Sequence, residues 1–302
     1  MPERIVFLGM PGVFSVIPLR TLLEAGLAVV GVIIPRRHQA EPRWLVPDLH
    51  SLPMSPPTLT GLAVAQRIPI LEAGSLRRPE ALAALDSLQP DVIVCACFPR
   101  LLPREWLARP RRSCLNLHPS LLPAYRGPEP LFWQFRTGEA RTGVTLHFMD
   151  EGADTGDMIA QAEVPFPDGI SSETAEELTA EAGARWLVEA LRLAEMPRRP
   201  QPNIGVSYAP RPAPADLVIP TTWSARRAFN FIRGASEWGP FEIVTASSRY
   251  AIRQAMRFLP EAVLGAETQP DGARRWIQFS PGAMLVLPEG VAGQASPPSP
   301  LS

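Results

Sequence analysis

Lysine is missing from this 302-residue chain, and all 29 of its basic residues are arginine. A phosphate-binding P-loop needs its lysine, and Schiff-base or pyridoxal chemistry needs a lysine amine, so both classes are excluded. Cysteine is scarce: three residues, an odd number, make no disulfide framework. Cys95 and Cys97 lie in an apolar run and read as buried hydrophobes, not as a redox or metal pair. Acids and bases nearly cancel, leaving a net charge of −1 and no global pull toward nucleic acid or an anionic membrane. No apolar run approaches the length of a membrane span, and the N-terminus lacks the pattern of a secretory signal. A cytoplasmic protein is the expectation. There is no His-x-x-x-His pair and no Gly-x-Ser-x-Gly elbow. The three-glycine dinucleotide fingerprint is also missing, which counts against a nicotinamide dehydrogenase.

What remains is ordinary for a soluble globular protein: 46% hydrophobic and 20% charged residues, in a length that favours two domains. The first half alternates strands and helices. Arg4–Gly9 is an apolar run, Ser15–Ala25 has a helical pattern, and Ala28–Ile34 is a second apolar run, together a βαβ unit of a parallel sheet. Helices are expected near Gly61–Gln66 and at Pro79–Leu88, with strands at Val92–Ala96 and Cys114–His118. Thr142–Phe148 alternates apolar with polar residues as a strand does, and Thr174–Leu193 reads as a long amphipathic helix. Six prolines crowd Pro35–Pro57, a loop too long for an ordinary connection.

A second proline-rich stretch predicts an interdomain linker over 197–214. It would join a catalytic domain over 1–196 to a small domain over 215–290. That small domain holds one helix (Ser224–Ile232) and short strands such as Phe241–Thr245 and Trp276–Phe279. The last residues, 291–302, have the composition of a disordered tail. The fold class predicted is therefore α/β, a Rossmann-like, mostly parallel sheet with flanking helices, followed by a small mostly β, OB-like domain.

Open parallel sheets bind ligands at the carboxyl ends of their strands, and three clusters fall there. Gly9-Met10-Pro11-Gly12 follows the first strand and is no more than a tight turn. Asn116 and His118 stand two apart at a strand end, so both project to one face, where an amide and an imidazole can hold an oxyanion and manage a proton. Taken alone, His118 equally suits a hydrogen-bonded core histidine. Asp150-Glu151-Gly152-Ala153-Asp154-Thr155-Gly156-Asp157 follows the alternating strand. By itself it reads as a solvated turn, and its spacing does not fit an EF-hand.

Taken together, these clusters carry a resemblance. Asn-x-His, then Ser-Leu-Leu-Pro-x-Tyr-Arg-Gly, then Asp-x-Gly-x-Asp-Thr-Gly-Asp, with His118 and Asp154 36 residues apart, resembles the folate-dependent formyltransferases. That family acts on methionyl-tRNA, glycinamide ribonucleotide and amino sugars. Weaker likeness extends to Arg4–Gly12 and to Phe98–Pro103, where the family's backbone holds the pterin ring. Likeness around Thr222–Phe241 favours the two-domain methionyl-tRNA type over the shorter purine-pathway type.

The resemblance implies 10-formyltetrahydrofolate as formyl donor, an amine as acceptor, and neither metal nor covalent intermediate. Asn116 and His118 would stabilise the tetrahedral oxygen, while Asp154 would orient His118, favour its charged form and help pass a proton to the leaving folate nitrogen. Donor binding would fall to Phe98, Arg100, Leu101, Leu102, Ser120, Leu121, Leu122, Pro123 and Asp150. The acceptor is either initiator methionyl-tRNA or a small amine, such as an amino sugar or amino-acid derivative. The basic signal for tRNA is weak. The loop after the second strand offers Arg36, Arg37 and Arg43 beside Glu41 and Asp48, and from residue 203 onward nine arginines face seven acids. A relative that hydrolyses formyltetrahydrofolate, passing the formyl group to water, would carry the same three residues. The sequence is silent on oligomeric state.

Overall fold

All five residues of β1 (Ile5–Gly9) are buried, as befits a central strand covered on both faces. The computed structural model describes residues 2–37, 40–45, 58–139 and 141–289. After β1 come α1 (Val13–Glu24), β2 (Val29–Pro35), β3 (Arg43–Leu45), α2 (Leu59–Ala65), β4 (Ile70–Ala73) and α3 (Pro79–Leu88). The chain continues through β5 (Val92–Ala96), α4 (Arg104–Leu107), β6 (Ser113–His118), α5 (Pro130–Thr137), β7 (Arg141–Phe148), β8 (Met158–Pro165) and α6 (Ser172–Arg192). The eight strands form one sheet in the order β3-β4-β2-β1-β5-β6-β7-β8. β4, β2, β1, β5 and β6 run parallel, and β3, β7 and β8 pair antiparallel at the two ends.

Strand order reverses between β1 and β5, and there the polypeptide is stapled. Ser15 Oγ donates to the Ala96 carbonyl at 2.7 Å and accepts the Met10 N–H at 3.0 Å. A Cβ on Gly9 would sit 2.8 Å from that Oγ, so the turn after β1 needs its glycine for close approach. The core beside this crevice holds Val6, Leu8, Ile33, Leu85 and Trp106, and the Trp106 indole N–H donates to the Leu76 carbonyl at 2.8 Å.

The small unit contains β9 (Val218–Pro220), α7 (Ala225–Gly234), β10 (Phe241–Val244), β11 (Arg249–Leu259), β12 (Thr268–Asp271), β13 (Arg274–Gln278) and β14 (Ala283–Pro288). Its six strands order as β12-β13-β14-β11-β10-β9, antiparallel except for β9 and β10, so it is mostly β as expected. Ser224 caps α7 by accepting the Arg227 N–H at 3.2 Å. Phe231 is fully buried, edge-on to Phe132 and Phe241.

Several expectations are revised. The large unit runs to Pro210 and the small unit resumes at Arg211, a division inside the stretch 197–214, and the part before it is built into the large unit. There Arg199 bridges Met158, and Ala209 is fully buried. The small unit also takes in Phe132–Glu139 and Pro167–Ser172, whose Phe132 and Phe135 join its aromatic core. β7 does not alternate between core and solvent, for Thr142, Thr145 and His147 are buried with their apolar neighbours. Cys97 is exposed, unlike Cys95: the chain turns at Cys97 with φ 57°, carrying the thiol out of the apolar run. Burial pushes the Cys95 thiol up and that of Cys114 up to about 12, so neither is reactive near neutral pH. Within 35–57, Arg43–Leu45 is a strand paired to β4, and 46–57 lie outside the described residues, as do 291–302. Among the described residues no helix is long and apolar enough to cross a membrane.

Candidate active site

The sheet itself brings the first two polar side chains together. In the antiparallel β6–β7 pair Asn116 lies directly opposite His147, so the two side chains share a face. Asn116 Nδ2 stands 3.1 Å from His147 Nε2 and donates to Asp154 Oδ1 at 3.1 Å. His147 Nδ1 lies 2.7 Å from the Phe148 carbonyl, which only accepts. When the ring is neutral, its hydrogen is therefore on Nδ1, and Nε2 is offered to the asparagine amide.

Two residues further along β6, buried His118 donates from Nε2 to the Tyr125 carbonyl at 2.7 Å. Its Nδ1 is left facing Asp154 Oδ2 at 3.6 Å. The partner loop is locked to receive it. Ser120 Oγ donates to the Ala124 carbonyl at 2.7 Å, and Thr145 Oγ1 donates to the Ser120 carbonyl and accepts the Leu122 N–H.

Asp154 arrives from the loop after β7 in the left-handed region, φ 55°. An aspartate tolerates that conformation better than most residues, and it persists where neighbours over-determine it. Its Oδ2 also accepts the Gly127 N–H at 2.8 Å. Burial opposes the charge on Asp154, yet His118, His147 and the Gly127 N–H together hold its carboxyl well below the usual carboxylate range. For His118 burial is the larger influence and keeps the ring's pKa below 6.5, although Asp154 and the Tyr125 carbonyl oppose it.

The three residues singled out from sequence thus form one network, with His118 buried and Asn116 and Asp154 half-buried. It is a charged carboxylate against a neutral imidazole whose open nitrogen faces it. A proton delivered to Nδ1 would complete a charge-assisted bond, which suits the site to general base and acid work. Both Nδ2 hydrogens of Asn116 and the Nε2 hydrogen of His118 are already engaged within the protein. Among the described residues no group of three or more His, Cys, Asp and Glu side chains is arranged to hold a metal.

The remaining candidates separate by what their side chains do. Arg100 donates to the Ala73 carbonyl at 2.9 Å and to the Arg36 carbonyl, tying the ends of β4 and β2. Ser120 is spent on its own loop, Leu102 is buried in the core, and Asp150 Oδ1 accepts from Gly152 N and Thr155 Oγ1. Leu122 and Pro123 are buried, while Phe98 and Leu121 are half-buried. Leu101 is exposed on a groove of about 260 Å³ lined by Leu76, Arg77, Glu151 and the run Arg100–Arg104. Sequence reasoning missed His147, although the alternation of β7 puts it on the same face as Thr145. It also missed Tyr125 and Gly127, which act through backbone atoms, and Gln201, 47 residues beyond Asp154.

The sequence profile of the family described as formyl transferase matches residues 18–191. The methionyl-tRNA formyltransferase of Pelotomaculum thermopropionicum is 38% identical over 239 residues, spanning 78% of this chain and 73% of that protein. The methionyl-tRNA formyltransferase of Moorella thermoacetica is 34% identical over 289 residues, 94% of this chain and 90% of that one. Among crystal structures, the sugar 3N-formyl transferase WlaRD, studied with dTDP and 5-N-formyl-THF, superposes with a TM-score of 0.67 at 18% identity. That match covers 97% of this chain and all of that one, and is a likeness of fold. The methionyl-tRNA formyltransferase from Clostridium thermocellum gives a TM-score of 0.56 at 14% identity over 84% of this chain and 93% of that one.

Proposed function

The chain belongs to the formyl transferase family and is a formyl-transferring enzyme; from that premise we propose that it passes the formyl group of 10-formyltetrahydrofolate to the amino group of methionyl-tRNA in the cytoplasm. The observation that carries the chemistry is the Asn116–His118–Asp154 network, with Asp154 bonded to the asparagine and facing the open nitrogen of the imidazole. A neutral amine attacks the formyl carbon, which places negative charge on the formyl oxygen and positive charge on nitrogen. His118 takes the proton from that nitrogen at Nδ1, Asp154 stabilises the imidazolium, and the proton returns to the departing folate nitrogen. The growing oxyanion competes for the Asn116 amide hydrogens and the His118 Nε2 hydrogen. The exposed Leu101 and half-buried Phe98 and Leu121 contribute apolar contacts to the donor. Arg100, Ser120 and Asp150 shape the loops around it.

A base that must begin neutral sets the pH dependence. Because burial holds His118 below the ordinary imidazole value, the acid limb of kcat/KM is expected below pH 6.5, with a plateau above it. A profile measured from pH 5 to 8 checks this, and a limb centred above pH 7 rules out His118 as that base.

The acceptor is argued from relatives 34–38% identical that carry the name methionyl-tRNA formyltransferase. The small unit offers a matching feature, for Arg257 lies 5.0 Å over the Trp276 ring and Arg275 lies 5.3 Å over that of Tyr250. Guanidinium beside aromatic is a pairing suited to nucleotides. One observation favours a small amine instead: Arg43 and Arg36 of the loop after β2 turn to Glu72, at 2.7 and 3.7 Å, and are partly neutralised. Tetrahydrofolate release measured with methionyl-tRNA, amino-sugar nucleotides and amino-acid derivatives decides between them. With tRNA, raising salt from 50 to 200 mM should weaken KM roughly tenfold or more through lost phosphate contacts. No turnover on methionyl-tRNA at low salt eliminates that acceptor, and formate release without any acceptor marks a hydrolase.

A further inference from the structure

Asp154 is held in place by a side chain far along the chain. Gln201 Nε2 donates to the Asp154 carbonyl at 2.8 Å and to the Gly156 carbonyl at 2.8 Å. Its Oε1 accepts from Arg126 Nε at 3.1 Å and Nη2 at 2.7 Å. The orientation of this amide is chemically determined at both ends. Guanidinium nitrogens only donate and carbonyls only accept, so the reversed amide would set donor against donor and acceptor against acceptor. The segment carrying Gln201 is pinned on either side. Arg199 exchanges backbone hydrogen bonds with Met158, and Arg126 pairs with Tyr208 in a short parallel bridge.

We propose that Gln201, oriented by Arg126, is a positioning residue that fixes the Asp154–Gly156 backbone so that the Asp154 carboxylate meets Asn116 and His118. The amide spans a left-handed residue whose conformation its own preferences do not favour, and it ties both ends of that bend to one rigid group. The Arg of the Tyr-Arg-Gly run then acts inside the protein: it aims Gln201, and through it the carboxylate. No substrate contact is needed to explain its place there. This inference rests on the formyl-transfer reading for its kinetic arm and stands apart from it for its structural arm.

Gln201→Met keeps the length of the side chain and removes its hydrogen bonds. The expected result is a kcat about 30-fold lower with the donor KM changed less than about twofold, the signature of a misaimed group. The chain has four histidines, so the His118 ring can be followed by NMR through a pH titration. With Asp154 drawn away, the His118 midpoint should move down by roughly half a pH unit, because its charged partner is weakened while burial remains. A kcat within threefold of wild type overturns the proposal, and so does a loss of kcat with the midpoint unmoved. Should the wild-type protein transfer no formyl group to any amine, the proposed function fails and the NMR midpoint alone decides the role of Gln201. If Gln201→Met does not fold, Gln201→Glu carries the test, since it retains the Arg126 contact but turns an oxygen toward the two carbonyls. A folded Gln201→Glu protein with kcat reduced tenfold or more supports the proposal, and one with full kcat overturns it. Failure of both variants to fold also overturns it, for Gln201 would then serve the fold at large.

Discussion

Asp154→Asn is expected to lower kcat about a thousandfold, roughly 4 kcal/mol of transition-state stabilisation, while donor affinity stays within threefold of wild type. The reason lies in how many partners converge on one carboxylate. Oδ2 accepts the Gly127 N–H and faces His118 Nδ1, and Oδ1 accepts the Asn116 amide. An asparagine can satisfy one of those donors, but its own NH2 then confronts the other. The larger loss is charge. In the proposed transfer His118 becomes an imidazolium, and burial already works against that form. Without the carboxylate the ring loses the partner that offsets burial, and the proton has no stabilised stopping place. Steady-state kinetics with a separate donor-binding titration tests this. A kcat within tenfold of wild type would remove Asp154 from the mechanism.

Gly156→Ala is the second large effect, and it reaches the same carboxylate through sterics. A Cβ at this position would lie 2.0 Å from the Phe148 carbonyl oxygen and 2.9 Å from its carbon. Both atoms are backbone at the end of β7, where Phe148 pairs with Leu115 and its N–H donates to Asp157. Neither side can yield as a flexible side chain could, so the cost belongs at the top of the overpacking range, about 3 kcal/mol. For a chain of this size that corresponds to a fall in Tm of roughly 6–12 °C. The residue is also two positions from Asp154, and its carbonyl is one of the two that Gln201 holds. A displacement of about 1 Å there should cost near a hundredfold in kcat. A thermal melt and a kcat measurement on one preparation suffice. A variant with wild-type values of both would show that the loop is freer than its contacts indicate.

These two effects also mark where sequence reading reaches its limit. The βαβ start, the strand Val92–Ala96 and the helix Pro79–Leu88 were legible because apolar periodicity reflects burial directly. Motif order and interval singled out Asn116, His118 and Asp154, and the fold gathers them into one hydrogen-bonded group. Burial misled twice. β7 carries alternating polarity yet is buried on both faces, because Thr145 bonds a site loop, His147 meets Asn116, and neither is turned to water. The prolines of 197–214 suggested an interdomain linker, and proline content says nothing of the hydrogen bonds that Arg199 and Gln201 make with distant carbonyls.

By itself, then, the sequence determined β1, β2, β5, β6 and β7 with α1, α3 and α6, singled out Asn116, His118 and Asp154, and pointed to formyl transfer. Those are local properties, written in period, spacing and motif. Only the tertiary structure decided how the three residues are held. The cross-strand pairing of Asn116 with His147, the Tyr125 carbonyl on His118, and the Arg126–Gln201 brace behind Asp154 join residues 7 to 75 positions apart. Hydrogen bonds at such separations depend on where the folded backbone brings each donor and acceptor, and no local pattern of residues encodes that.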